Sequence, residues 1–254
     1  RADAFAQGLR QEPGLEVSVY GVPAYSTLGL TNWLGGDPLL NTFIRYSEGE
    51  LARLIFHELT HQVVYVKDDT MFNESFATAV ERIGVAQWLA TQSTPEARKA
   101  FATSEARRSA FRALTRATRA RLAAIYGQKE ALALDDQALA AMKSEAMEAF
   151  RTGYAALRTQ WLNTSSGGAP QATTAQVAGY DRWVAKANNA SFAAQAAYDE
   201  LVPAFEALFE REGRDWPRFY DAVRQLTQQP QPQRHEALRA LLSDTQHLKE
   251  TPGA

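Results

Sequence analysis

Apolar and polar positions follow two periods along this chain. Leu15, Val17 and Val19 alternate with polar neighbours until Gly21 and Pro23 interrupt them, so residues 15 to 29 ("LEVSVYGVPAYSTLG") predict a strand running into a bulge or turn. The segment "NWLGGDPLL" predicts a loop. At "YSEGELARLIFHELTH" the period becomes helical, with Leu51, Leu54, Ile55 and Leu59 on one side. Ser47 with Glu50 three residues later predicts a capping box at its start. This helix is expected to reach about Val66.

A turn at Lys67 to Thr70 then leads into a second helix of about 20 residues through "MFNESFATAVERIGVAQWLA". "STPEARKAF" restarts a helix, with Ser or Thr as cap and Pro95 near the first position, running to about Tyr126. A partner from about Asp135 to Leu162 repeats the pattern, and the two predict a long antiparallel hairpin. "NTSSGGAPQATTAQ" is a linker by composition. Helices are expected at about 175 to 197, 199 to 212, 215 to 227 and 234 to 248, then a disordered tail at 249–254. The fold class expected is mainly α with a small N-terminal β-sheet (α+β). Residues 1–92 would form a core with the strand and the first two long helices, 93–162 the long hairpin, and 175–248 a helical part completing a cleft.

Composition narrows what this fold can do. With 254 residues, 45% hydrophobic and 22% charged, the chain is long enough for a sizeable core. A formal charge of −2 disfavours nucleic acid or an anionic membrane as main partner. The six arginines between positions 107 and 121 sit among Phe111 and Leu114 at helical spacing, as on a solvated helix face. Absence of cysteine leaves histidine and carboxylate as metal ligands. No stretch approaches the length of a membrane helix and no signal peptide is visible. The start at Arg1, inside an amphipathic pattern, suggests that the natural protein extends further toward the N-terminus.

The chemistry concentrates in "HELTH". His57 and His61 at i and i+4 share one helix face, and Glu58, about 100° round, can reach a metal-bound water. Given four histidines and 29 acidic residues, roughly 0.007 such matches would arise by chance, so the motif calls for a metal reading. A third ligand must come from elsewhere. If the chain turns at Lys67 to Thr70, Glu74 returns to about the level of His61 and is the expected ligand. Glu81, two turns on, is the alternative ligand or an acceptor for an imidazole N–H. Asp68 and Asp69 are further candidates, or simply cap the second helix.

"HELTH" followed by "NESFATAVER" resembles the gluzincin metallopeptidases, in which a Glu on a following helix completes a His-His-Glu zinc site. "GVPAYSTLG", "DPLLNTF", "LARLIFHELTHQVVYVKDDTMFNESFATAVERIGV", "LVPAFEALF" and "DWPRFY" resemble a bacterial family known as predicted aminopeptidases, over most of the chain. The resemblance implies a zincin-like core, one Zn²⁺ per chain, a peptide substrate, and a periplasmic protein held at the membrane only by a lipid anchor on a preceding segment. Aminopeptidase N-type enzymes hold the substrate amine with a Gly-x-Met-Glu-Asn segment, which this chain lacks. Zinc peptidase is therefore better supported than aminopeptidase.

An oxyanion donor is also required. His235 and His247 lie in a charged C-terminal helix, so Tyr198 is the first choice and Tyr180 the reserve. Asn188 and Asn189 would give a polar lining, and Tyr25, Ser26 and Thr27 would flank a substrate cleft reached by strand addition. Two other classes fit the same residues: a helical assembly protein with a closed structural zinc site, and a zinc hydrolase of another amide or ester. Oligomeric state is open.

Overall fold

Helix signals carry through to the structure, a computed structural model that describes residues 1–12, 14–21, 43, 46–129, 135–163 and 171–250, with the backbone alone for 243–250. Among the described residues all regular structure is helical: α1 Ala2–Leu9, α2 Glu48–Val63, α3 Thr70–Gln92, α4 Pro95–Gly127, α5 Asp136–Asn163, α6 Thr174–Lys186, α7 Asn189–Asp199, α8 Val202–Arg211, α9 Trp216–Thr227 and α10 Gln231–Glu250. The chain divides into two compact units. One comprises Arg1–Tyr20 with Lys99–Ala194, the other Gly21–Arg98 with Gln195–Ala254.

The expected N-terminal β-sheet is absent among the described residues. Residues 15–21 carry no regular structure, and 22–29 lie outside the described part. The alternation of Leu15, Val17 and Val19 does not mark a buried face: Leu15 is 45% exposed, and Val17 and Val19 are half-buried like Glu16 and Ser18 between them. What holds the segment is polar: the Asn188 amide donates to the Val17 carbonyl at 3.2 Å, Ser191 Oγ donates to Ser18 Oγ at 3.1 Å, and the Asn189 backbone N–H donates to the Glu16 carboxylate at 3.0 Å. Alternation specifies a strand only where one face is buried.

Local chemistry also moves some helix ends. Ser47 stands at the N-cap of α2, but its side chain makes no capping bond, and Glu50 pairs with Arg53. The capping box forms instead at α6, between Thr173 and Gln176. The single helix expected over 175 to 197 breaks at Ala187 and Asn188, because Asn188 Oδ1 accepts from the Ser191 N–H at 3.0 Å and so caps α7. Asp215 caps α9 by accepting from Arg218 N–H, and Gly213, at φ 74°, closes the turn before it.

Each unit has its own core. In the first, Phe111, Phe150, Tyr154, Trp161, Val177 and Phe192 form an aromatic cluster from α4, α5, α6 and α7. In the second, Phe72 and Phe76 of α3 pack with Phe205 and Leu208 of α8, Phe219 and Val223 of α9, and Leu238 of α10. Burying each such side chain contributes about 1.5–3 kcal/mol, which fixes α3 firmly within its unit. Gly84 allows α2 to approach α3, since a Cβ there would stand 3.3 Å from the Phe56 ring. No helix among the described residues is long and apolar enough to cross a membrane.

Candidate metal centre

The i, i+4 spacing on α2 sets the rings of His57 and His61 edge to face, centroids 5.0 Å apart. From α3, Glu74 reaches both: its Oε2 lies 3.2 Å from His57 Nε2 and its Oε1 3.9 Å from His61 Nε2. One ligand atom from each of the three lies within 4.8 Å of the others, so the group could hold a metal ion. Ligands on a tetrahedral zinc with bonds of about 2.0–2.1 Å stand roughly 3.3 Å apart; the 3.2 Å between His57 and Glu74 matches this, and the 3.9 Å from Glu74 to His61 is wider.

The buried groups behind the triad favour this use. Glu81, 6% exposed, faces His57 Nδ1 at 3.0 Å and accepts from Arg53 Nη1 at 2.8 Å. An Nδ1–H donated to Glu81 leaves Nε2 aimed at the ligand position. Burial opposes a charged His57, but its hydrogen bonds to Glu74 and Glu81 and their negative charges prevail and raise it to about 9. Burial would raise the Glu81 carboxyl, yet the His57 hydrogen bond and the Arg53 charge hold it below its usual range. His61 is lowered by burial and by the neighbouring His57. Its Nδ1 is buried without a hydrogen-bond partner, and the neutral imidazole this favours is the form that ligates metal.

The connection joining the ligand helices is longer than expected. α2 stops at Val63, not Val66, because Val64 turns to extended backbone, φ −144°, and buries its side chain in the core. The Asp69 N–H then donates to the Val66 carbonyl at 3.3 Å, with Asp68 at φ 64°, a left-handed position that Asp tolerates. Asp69 caps α3 by accepting from the Phe72 N–H. It also accepts from Arg234 Nη2 at 2.7 Å and lies 3.0 Å from His235 Nε2. Burial would raise Asp69, but Arg234, the Phe72 N–H and His235 keep it below its usual range. Asp69 is thus committed to the turn and to α10, away from the triad.

The remaining candidates divide. Glu58 follows His57 on α2 and is half-buried. Tyr198 stacks on His57, rings 6.3 Å apart and 20° from parallel. Ser75 positions it: Ser75 Oγ donates to the Ala197 carbonyl and accepts from the Leu201 N–H, pinning the α7–α8 junction to α3. Asn189 lies in the other unit, where its amide donates to Tyr126 Oη at 2.8 Å. Tyr180 packs between Phe111 and Trp161 in that unit. Tyr25, Ser26 and Thr27 lie outside the described residues, as does the side chain of His247. Arg53, Asn73, Ser75, Arg234 and His235 were missed as contributors. Only Asn73 and Ser75 carried a signal, by flanking Glu74.

One comparison now bears on this geometry. A family model described as "Putative aminopeptidase" matches residues 1–238. The chain belongs to that family. The match spans α1 to α9 and the start of α10, up to residue 238, and so includes the triad, Glu81 and Tyr198. Neither a curated protein nor a solved structure matches the chain.

Proposed function

We propose that this aminopeptidase-family chain is a zinc-dependent peptidase of the gluzincin type. The observation that carries the reading is the convergence of His57, His61 and Glu74, with Glu81 and Arg53 buried behind His57. When bound, Zn²⁺ would polarise the scissile carbonyl and acidify a water molecule. His57 and His61 would hold the ion through neutral imidazoles and Glu74 through its carboxylate. Glu58 takes a proton of the attacking water and passes it to the leaving nitrogen, the second proton of the water follows, and water and amide become carboxylate and ammonium. Tyr198, beside His57, donates to the carbonyl oxygen as negative charge develops on it. Glu81 keeps the His57 ring in its ligating tautomer.

Zinc stoichiometry, combined with cleavage of peptides bearing free and blocked N-termini, tests this. Wild type should bind one zinc and cleave, and Glu58→Gln should keep the zinc and lose cleavage by a factor on the order of 100 or more. Zinc binding without cleavage of any peptide would favour a structural clamp. Cleavage confined to free N-termini would establish exopeptidase action, and the periplasmic, lipid-anchored setting implied by the family is tested by fractionating cells that express the natural full-length protein.

A further inference from the structure

The side chain of the residue before Glu74 makes its hydrogen bonds away from the triad, yet it is almost wholly buried and both sides of its amide are committed. Asn73, 2% exposed, accepts from the Val66 N–H through Oδ1 at 2.9 Å and donates through Nδ2 to the Val66 carbonyl at 2.7 Å. Val66 lies beyond the end of α2 and before α3, so its N–H has no helical partner; the Asn73 amide supplies one and closes the connection like a rung of a ladder. Only this orientation of the amide works, because the reverse would set its NH₂ against the Val66 N–H.

We infer that Asn73 is a positioning residue for the metal centre, acting through Glu74 by setting the register between α2 and α3. The inference rests on the metal reading above. Glu74 follows Asn73 by 1.5 Å along α3 and 100° round it. A slip of one residue in the connection would turn Glu74 away from His57 and His61, and a ligand standing 3.2 and 3.9 Å from its partners has little room for such a slip. Asp69, fixed to Arg234, also donates its N–H to the Val66 carbonyl at 3.3 Å, but it stands at the cap before α3, whereas Asn73 ties both backbone groups of Val66 to a residue within that helix. Aspartate cannot substitute: it keeps the acceptor for the Val66 N–H but turns a second oxygen toward the Val66 carbonyl.

A double-mutant cycle read by zinc affinity, in competition with a chromophoric chelator, tests this. Asn73→Ala should weaken zinc binding about tenfold, the scale of second-layer residues at metal sites. In a Glu74→Ala background the same change should cost less than about twofold, because the ligand it positions is gone. Val223→Ala, a buried truncation on α9, should leave zinc affinity unchanged although it lowers stability. In zinc-free protein, the Val66 amide should exchange faster in Asn73→Ala than in wild type, relative to amides in the centre of α3. If Asn73→Ala proves unable to fold, Asn73→Asp, of the same shape, carries the same cycle and the same outcomes. Wild-type zinc affinity in Asn73→Ala, or an equal loss with and without Glu74, would overturn the positioning role alone. Failure of wild type to bind zinc would instead remove the peptidase reading, and this role with it.

Discussion

Two helical hairpins follow one another in this chain, and they bury opposite kinds of residue. Between α4 and α5 the buried contacts are aromatic and aliphatic: Phe111 against Phe150 and Tyr154, and Leu114 over Gly153. The buried threonines there, Thr115 and Thr118, bond to carbonyls of their own helix. Charged pairs stay outside, as with Arg121 and Glu145, whose side chains are 43% and 75% exposed. Between α2 and α3 the reverse holds. His57, His61, Glu74 and Glu81 face one another, Asn73 is buried on the Val66 backbone, and the turn adds the buried pair of Asp69 and Arg234. A hairpin needs none of these polar groups to be stable, and burying them is costly unless they are paired. Their concentration in one hairpin is what marks it as the candidate site.

The contrast can be broken from either side. In the long hairpin, Phe150→Ala should cost about 3–5 kcal/mol by denaturant titration, with zinc affinity of the folded protein unchanged. In the turn of the short hairpin, Arg234→Ala takes the arginine from the buried Asp69, leaving it His235, Gln231 and the Phe72 N–H, and should cost up to about the same, although an exposed arginine elsewhere could be lost almost freely. This pair also has a pH signature. Because folding holds the Asp69 carboxyl below its ordinary value of 3.8, its contribution is present above that pH and is lost as pH falls through the lower folded value. Acid unfolding of wild type should therefore be steeper below about pH 4 than that of Arg234→Ala. An unchanged acid limb would show that the pair contributes no linkage.

A smaller effect is expected behind the metal site. Glu81→Gln keeps the shape but loses the charge facing His57 and Arg53, and should lower zinc affinity about 10- to 100-fold. The least effect belongs to the outer pair of the long hairpin, where Arg121→Ala should change stability by less than about 1 kcal/mol. A larger loss there would mean that the charges of the two hairpins are not distinguished by burial after all.

Legibility in the sequence followed the range of the interactions. His57, Glu58 and His61 were readable because their relation is one turn of one helix. Glu74 was readable because a short turn between two helices limits where the chain can return. The N-terminal strand was misread because the alternation of Leu15, Val17 and Val19 coincides with no buried face, and the segment is held instead through polar groups such as the side-chain amide of Asn188, 171 positions from Val17. Arg234 and His235 meet Asp69 across 165 and 166 positions, and no local pattern announces such a pairing. Asn73 and Ser75 fall between. They lie in the motif, but their partners, Val66 and the α7–α8 junction, are backbone groups that composition does not distinguish.

The most direct test of the central claim is zinc binding by wild type and Glu74→Ala after exhaustive chelation. One zinc per wild-type chain, with affinity falling more than about 100-fold in Glu74→Ala while the helical content is kept, is the predicted result. A wild type that binds no zinc, or a Glu74→Ala protein that binds it equally well, would contradict the assignment of this hairpin as a metal centre.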